Sequence, residues 1–339
     1  MKRIVGASAA LLLAAVAASS ATAQEFYKGK SLKFVVSSAA GTSYDTFTRT
    51  TARHLEKHIP GNPRILVQNM PGAGGLVAAN YLYNVAEKDG TTFAMLNRNS
   101  ILQPIVGNEQ AQYKSEGFHW LGTPATYRDD PYVFVVHTNT SYRKAEELRN
   151  NAEPISVGNS GSVMVRLLKE ALGLNVRIVE GYDKSVLDLA FERGEVDGIG
   201  VGYTNLKARF PVPLQKGEII PLVQFGSAER SPALPDVAAA RELAVSDEAR
   251  ALLGFIEAPL SIAYPVALPP GVPEDRVRIM RKALEDTWSD PAYRKDIESQ
   301  KLLYSPKYGD KVQAEVVALT KAPKAAIERF KEIAPGGGD

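Results

Sequence analysis

The chain has four histidines, and these are the first places to look for chemistry: His54, His58, His119 and His137. His54 and His58 are four residues apart and would share one face of a helix. A zinc peptidase uses that spacing with a glutamate directly after the first histidine as its base. Here the run is His54-Leu55-Glu56-Lys57-His58, with the glutamate one place displaced, which favours two flanking surface histidines over a metal site. The absence of cysteine excludes thiol nucleophiles, disulfides and thiolate metal sites. No Gly-x-Ser-x-Gly elbow is present to support a hydrolase. Two glycine-rich runs remain, Pro71-Gly72-Ala73-Gly74-Gly75 and Gly158-Asn159-Ser160-Gly161. Neither is followed by the lysine of a Walker loop and neither has full dinucleotide spacing, so nucleotide binding is the weaker reading. The expectation is no catalytic residue, no metal and no cofactor.

Both runs lie where a strand gives way to a helix. Residues 32–36 are apolar and β-branched, 37–43 are small, and 44–58 carry Phe47, Ala52 and Leu55 on one side of a helix. A second strand over 64–67, a small-residue turn, a helix over 76–85 and a third strand over 91–96 repeat the pattern. The alternation predicts a parallel sheet covered on both faces. After a less regular stretch, strands are expected over 132–136, 155–157, 176–179, 196–201 and 219–225, with helical stripes at Val163, Met164, Leu167, Leu168 and Ala171 and at Val186, Leu187 and Ala190. A further strand over 261–268 and helices through Val277, Met280, Leu284, Trp288, Val312, Val316 and Leu319 are too few to form a domain alone. They are expected to rejoin the first lobe.

In such a sheet, ligands bind beyond the carboxyl ends of the strands, where helix N-termini present unpaired N–H groups. Three loops qualify: 38–45, 69–75 and 158–162. Each alone is explained as a helix cap with glycine for turn geometry; together they favour an anion site, suited to a carboxylate. Arg98 follows the third strand, and its guanidinium is either a bidentate carboxylate partner or a solvated loop residue. Asp45, in the first turn of a helix, is better explained by the helix dipole.

The 339 residues are 45% hydrophobic and 23% charged, a globular composition of about two domains. Residues 1–23 read separately as a secretory signal peptide: Lys2 and Arg3, an apolar stretch over 11–18, then Ala21-Thr22-Ala23 as the cleavage pattern. Without them, basic and acidic residues balance at 38 each. A neutral chain has no electrostatic footprint for nucleic acid or an anionic membrane. The expected location is the periplasm, with no lipid anchor because there is no cysteine to carry one.

Beyond this, Asn69-Met70-Pro71-Gly72-Ala73-Gly74-Gly75 resembles the signature of the substrate-binding proteins of tripartite tricarboxylate transporters, the Bug-type periplasmic receptors. Its flanks are similar too: Gly41-Thr42-Ser43-Tyr44-Asp45 with Ala52-Arg53 before it, and Lys88-Asp89-Gly90-Thr91-Thr92 after it. Looser matches are Gly158-Asn159-Ser160-Gly161, Gly181-Tyr182 with Leu189, Gly194-Glu195-Val196-Asp197, and the S-A-E-R-S-P-A-L-P run over 227–235. Two departures stand out. Ser37-Ser38-Ala39-Ala40-Gly41-Thr42 replaces the family's proline and double glycine, and the histidine of the second-lobe loop is absent around Val163 to Val165.

The resemblance implies the type II periplasmic binding protein fold, two α/β lobes joined by a two-segment hinge in a Venus flytrap. The lobes would be residues 24–125 with 258–339, and 126–257, with crossings near 126–133 and 257–261. It implies a monomeric receptor, not an enzyme, that captures a small organic carboxylate for a membrane transporter with large and small subunits. The alternatives are a ligand receptor for a signalling sensor and, further off, an enzyme using the same cleft. Carried over residue by residue, the ligand-binding set is Thr42, Ser43, Tyr44, Asp45, Gly72, Ala73, Gly74, Asn159, Ser160, Gly161 and Ser162. Tyr182 and Tyr203, each near a strand end, are weaker additions, and Arg98 joins them on its own argument.

Overall fold

The structure is a computed structural model, and it describes residues 26–334. The signal peptide expected over 1–23 lies outside the described residues. In chain order, the first stretch contains β1 (Ser31–Val36), α1 (Ser43–Leu55), β2 (Arg64–Asn69), α2 (Leu76–Asn84), β3 (Thr92–Met95) and β4 (His119–Thr123). The middle contains β5 (Tyr132–His137), β6 (Ile155–Gly158), α3 (Val163–Glu170), β7 (Val176–Val179), α4 (Lys184–Glu192) and β8 (Gly198–Gly202). It continues with α5 (Tyr203–Arg209), α6 (Pro211–Gln215), β9 (Ile219–Phe225), β10 (Ala238–Ala239) and α7 (Asp247–Ser261). The last stretch contains β11 (Val266–Leu268), α8 (Glu274–Ser289), α9 (Pro291–Ser299), β12 (Lys307–Tyr308), α10 (Gly309–Leu319) and α11 (Lys324–Ile333).

These elements form two compact units, each built on its own six-stranded sheet. Among the described residues, the first holds 26–104, 108–125 and 264–317, with strand order β12-β4-β11-β3-β1-β2. Its strand β1, flanked by β3 and β2, buries Leu32, Phe34, Val35 and Val36 completely, which is why its sequence is an apolar run rather than an alternation. β1 is parallel to β2 and β3, as the strand–helix alternation predicts. The sheet is nonetheless mixed: β11 lies antiparallel between β3 and β4. It enters from the second unit rather than through a local helical crossover, so nothing forces it parallel.

The second unit holds residues 105–107, 126–263 and 318–334, with strand order β10-β9-β5-β8-β6-β7. Here β6 is parallel to β7 and β8, while β5 runs antiparallel to both β8 and β9. Its core gathers Val133, Val135, Leu187, Phe191, Val196, Ile199, Leu206 and Phe210.

Two expectations about the chain path are corrected. Residues 257–261, expected as a hinge, are the last turn of α7, and the chain passes to the first unit only after Ala263. Residues 318–334, expected in the first lobe, belong to the second unit, so the chain changes unit again after Val317, besides the passages after Ala125 and Ala263 and the short excursion of residues 105–107. There α11 buries Ala326, Phe330 and Ile333, and Phe330 meets Phe255 of α7 edge-to-face at 5.5 Å. An apolar helical stripe announces that something must cover it, but not which helix does.

Candidate functional site

The carboxyl ends of β1, β2 and β3 end level with one another. Val36 is in register with both Asn69 and Met95, so the loops that follow these strands leave the sheet at one edge of the first unit. Tyr264, just before the antiparallel β11, joins the same edge and packs its ring on Tyr44 (4.8 Å) and Phe47 (4.2 Å) of α1. This edge holds Thr42, Ser43, Tyr44, Asp45, Gly72, Ala73, Gly74 and Arg98 from the sequence-predicted set.

The first loop is shaped by hydroxyl and carboxylate bonds. Thr42 caps α1: its Oγ1 accepts from Asp45 N–H at 3.4 Å, donates to the Ala39 carbonyl at 2.9 Å and lies 2.6 Å from Ser38 Oγ. Asp45 is buried, and its oxygens accept from Gly41 N–H (2.9 Å), Arg49 Nε (3.0 Å) and Asn69 Nδ2 (2.9 Å). Burial alone would raise its pKa. The hydrogen bonds from Arg49, Gly41 and Asn69 outweigh that and hold it below the usual carboxylate value, as an anion. Asn69 also donates to the Ser38 carbonyl at 3.0 Å and accepts from Arg49 Nη2 at 2.9 Å. Asp45, Arg49 and Asn69 thus form a clamp that fixes the loop from both ends. Ser43 stays exposed in the first turn of α1, and Tyr44 Oη accepts from Arg98 N–H at 3.1 Å.

The second loop is unusual in its backbone. Gly72, Ala73, Gly74 and Gly75 have φ values of 139°, 45°, 63° and 97°, four consecutive residues in the region that side chains disfavour. Gly75 N–H closes the turn on the Gly72 carbonyl at 2.9 Å. Proline, glycine and alanine are the types such a turn tolerates, and Ala73 bears the strain of the one side chain within it. Residues 71–74 are exposed, whereas Gly75 is buried against Asn97 and Ser100 of the third loop. Two residues absent from the predicted set sit at this edge: the buried hydroxyls of Ser37 and Ser100 have no hydrogen-bond partner among the described residues. Ser37 had a signal in its position just past β1, whereas Ser100 lies further along the loop after β3, in a short 3-10 turn over Arg98–Ile101.

In the second unit the parallel strands β6, β7 and β8 likewise share one edge, with Gly158 in register with Val179 and Ile199. It gathers Asn159, Ser160, Gly161, Ser162, Tyr182 and Tyr203. Asn159 is fully buried and spends its amide on the loop itself: Oδ1 accepts from Ser162 N–H at 2.9 Å, and Nδ2 donates to the Ser162 carbonyl (3.2 Å) and to Glu180 Oε2 (3.0 Å). Ser160, Gly161 and Ser162 are left toward solvent. Tyr182 and Tyr203 pack against the unit's core, and Lys207 Nζ lies 4.5 Å from the Tyr203 ring centre. Tyr132, which opens β5 at this edge, was not foreseen. Burial pushes its pKa up to about 12 against the opposing hydrogen bond with Ser162, so it stays a neutral phenol. A bare Gly200 makes its room, since a methyl group there would lie 2.6 Å from Tyr132 Oη.

Among the described residues, no cluster of three metal-ligating side chains occurs, and no helix is long and apolar enough to cross a membrane. His54 and His58 pair with Asp296 (3.1 Å) and Asp290 (3.3 Å) of α9 and its cap, which ties α1 to the last third of the first unit.

No protein-family model and no curated protein sequence matches the chain. Solved structures do. A TctC solute binding protein from Polaromonas is similar at a TM-score of 0.69 and 19% identity, over 89% of this chain and 99% of that one. The periplasmic binding protein BugD is similar at 0.51 and 20%, over 91% and 98%. Rpa4515 of R. palustris, solved with adipate, is similar at 0.51 and 18%, over 91% and 97%. With two α/β units, each built on a mixed six-stranded sheet, the chain has the fold of these periplasmic solute-binding proteins.

Proposed function

We propose that the chain is a periplasmic receptor that captures a small organic carboxylate and delivers it to a tripartite tricarboxylate transporter. The observation that carries this reading is the edge of the first unit, where three parallel strand ends in register present a capped helix N-terminus, a left-handed glycine turn and neutral hydroxyls. Such a surface offers donors to an anion. Asp45 is committed to the clamp and held as an anion with its lone pairs occupied, which suits a structural role better than that of a catalytic base. In this reading Ser43, Tyr44, the backbone of Gly72, Ala73 and Gly74, and Arg98 receive a carboxylate. Thr42 and Asp45 hold their loop in shape. In the second unit, Ser160, Gly161, Ser162, Tyr182 and Tyr203 are that unit's own ligand-facing set, with Asn159 holding their loop. The polar and aromatic character of this second group fits a ligand with an apolar body, and the fold neighbour solved with adipate is consistent with that.

A thermal-shift screen tests the proposal, with adipate, malate, citrate and benzoate set against glucose and putrescine. A ligand present at 100 times its dissociation constant adds about 2.7 kcal/mol by mass action, a shift that is readily seen. At least one acid is expected to raise the transition, and mass spectrometry should recover it unchanged. Stabilisation by the sugar or amine alone would overturn the anion site, and conversion of the acid would overturn the receptor.

A further inference from the structure

The second-unit loop is not held by Asn159 alone. Glu180, directly after β7, accepts from Asn159 Nδ2 through Oε2 and from Arg166 Nε through Oε1, at 3.0 Å each. Arg166, on α3, also donates from Nη1 to the carbonyl of Ile333 at 2.6 Å, at the far end of the C-terminal helix α11. That carbonyl belongs to the last turn of α11, where helical carbonyls lack an intrahelical partner and a guanidinium is a favourable one. One turn further along α3, Glu170 pairs with Arg329 of α11. The apolar face of α11, through Phe330 and Ile333, seats the helix in the core of the unit. An unbroken set of hydrogen bonds therefore runs from the last turn of α11 through Arg166, Glu180 and Asn159 to the N–H and carbonyl of Ser162.

We propose that Arg166 and Glu180 are positioning residues, through which the C-terminal helix sets the shape of loop 159–162. The need for them follows from the loop's composition. Asn159-Ser160-Gly161-Ser162 has little apolar surface of its own, and Gly161 sits at φ 95°, so packing cannot define its shape. Its definition comes from Asn159, whose orientation is fixed on one side by Glu180. Glu180 in turn is exposed and would be free to swing without the charge-assisted bond from Arg166 Nε. That this loop meets a ligand rests on the function proposed above; the coupling to α11 does not.

Amide hydrogen exchange on the full chain without ligand tests the coupling. Partly exposed ion pairs contribute little to global stability, so a local effect can be read separately from unfolding. Arg166→Ala is expected to speed exchange at Ser162 about tenfold, while Val157 within β6 and the urea midpoint stay unchanged. Glu180→Gln, which keeps an acceptor for Asn159, should speed it less than Glu180→Ala. Phe330→Ala loosens the seat of α11 and should also speed Ser162. Combined with Arg166→Ala it should add nothing at that amide, because both changes break one path. Unchanged exchange at Ser162 in Arg166→Ala, a uniform rise at Ser162 and Val157 together, or full additivity of the pair would each overturn the proposal. If the coupling is found but no acid stabilises the chain, the receptor reading fails and the coupling stands.

Discussion

At position 75 an added methyl group would lie 2.6 Å from Asn97 Cβ, closer than carbon atoms pack, whereas at position 74 it would meet nothing within 4 Å. Both residues have positive φ. Gly74→Ala therefore carries only the cost of a left-handed alanine, about 1 kcal/mol. Gly75→Ala adds displacement of the third loop, for a total of about 2–3 kcal/mol. Urea denaturation of the two variants should show this order, and equal losses would mean that Asn97 yields freely. The run of small residues made the turn legible in the sequence. Which glycine bears the close approach was not, because Asn97 is 22 positions away and meets Gly75 only once β3 lies beside β1. Asp45 shows the same limit. Its place in the first turn of α1 invites a dipole explanation, but one of its three donors, Asn69, comes from the end of another strand.

Two of the helices rest on buried or partly buried carboxylates. Glu257 of α7 is fully buried; it accepts from Arg241 Nε at 2.6 Å and from Gly226 N–H at 3.1 Å. Burial pushes its pKa up against the pull of Arg241 and the Gly226 bond. Glu257→Ala leaves both donors unanswered and should lower unfolding stability by about 3 kcal/mol, and Glu257→Gln, which retains an acceptor for Gly226, by less. A loss below 0.5 kcal/mol in urea would show that solvent replaces the carboxylate. Asp290 caps α9 and is bound by Lys57, Ala292 N–H and His58, which lower its pKa to about 2. A folded value below the unfolded one contributes stability that is complete above about pH 4 and is lost as the pH falls toward 2. Asp290→Asn should flatten that part of the acid-unfolding curve, and an unchanged slope would rule out the pairing. Neither α7 nor β4 was foreseen. Pro259 and the apolar run through 268 make the end of α7 look like a strand, although its backbone stays helical to Ser261. The five residues of β4 have their central partner, β11, more than 140 positions later, beyond the reach of local pattern.

For the whole molecule, the strands and loops of residues 31–100 were legible because each βα unit is local: an apolar run, a small-residue loop, an amphipathic helix. The type II solute-binding fold was legible through the resemblance of residues 69–75, and the similarity to solved structures bears that fold out. The assignment of residues 318–334 was not, since α11 chooses its partner by packing on α7. The central claim is that the edge of the first unit takes up a carboxylate as an anion. Calorimetric titration of the chain with each acid that stabilises it, beside the methyl ester of the same acid, isolates that charge from the ligand's body. The account predicts that the acid binds and that the ester binds on the order of 100-fold more weakly, the effect of losing charge-assisted hydrogen bonds. Equal affinity for acid and ester would contradict it.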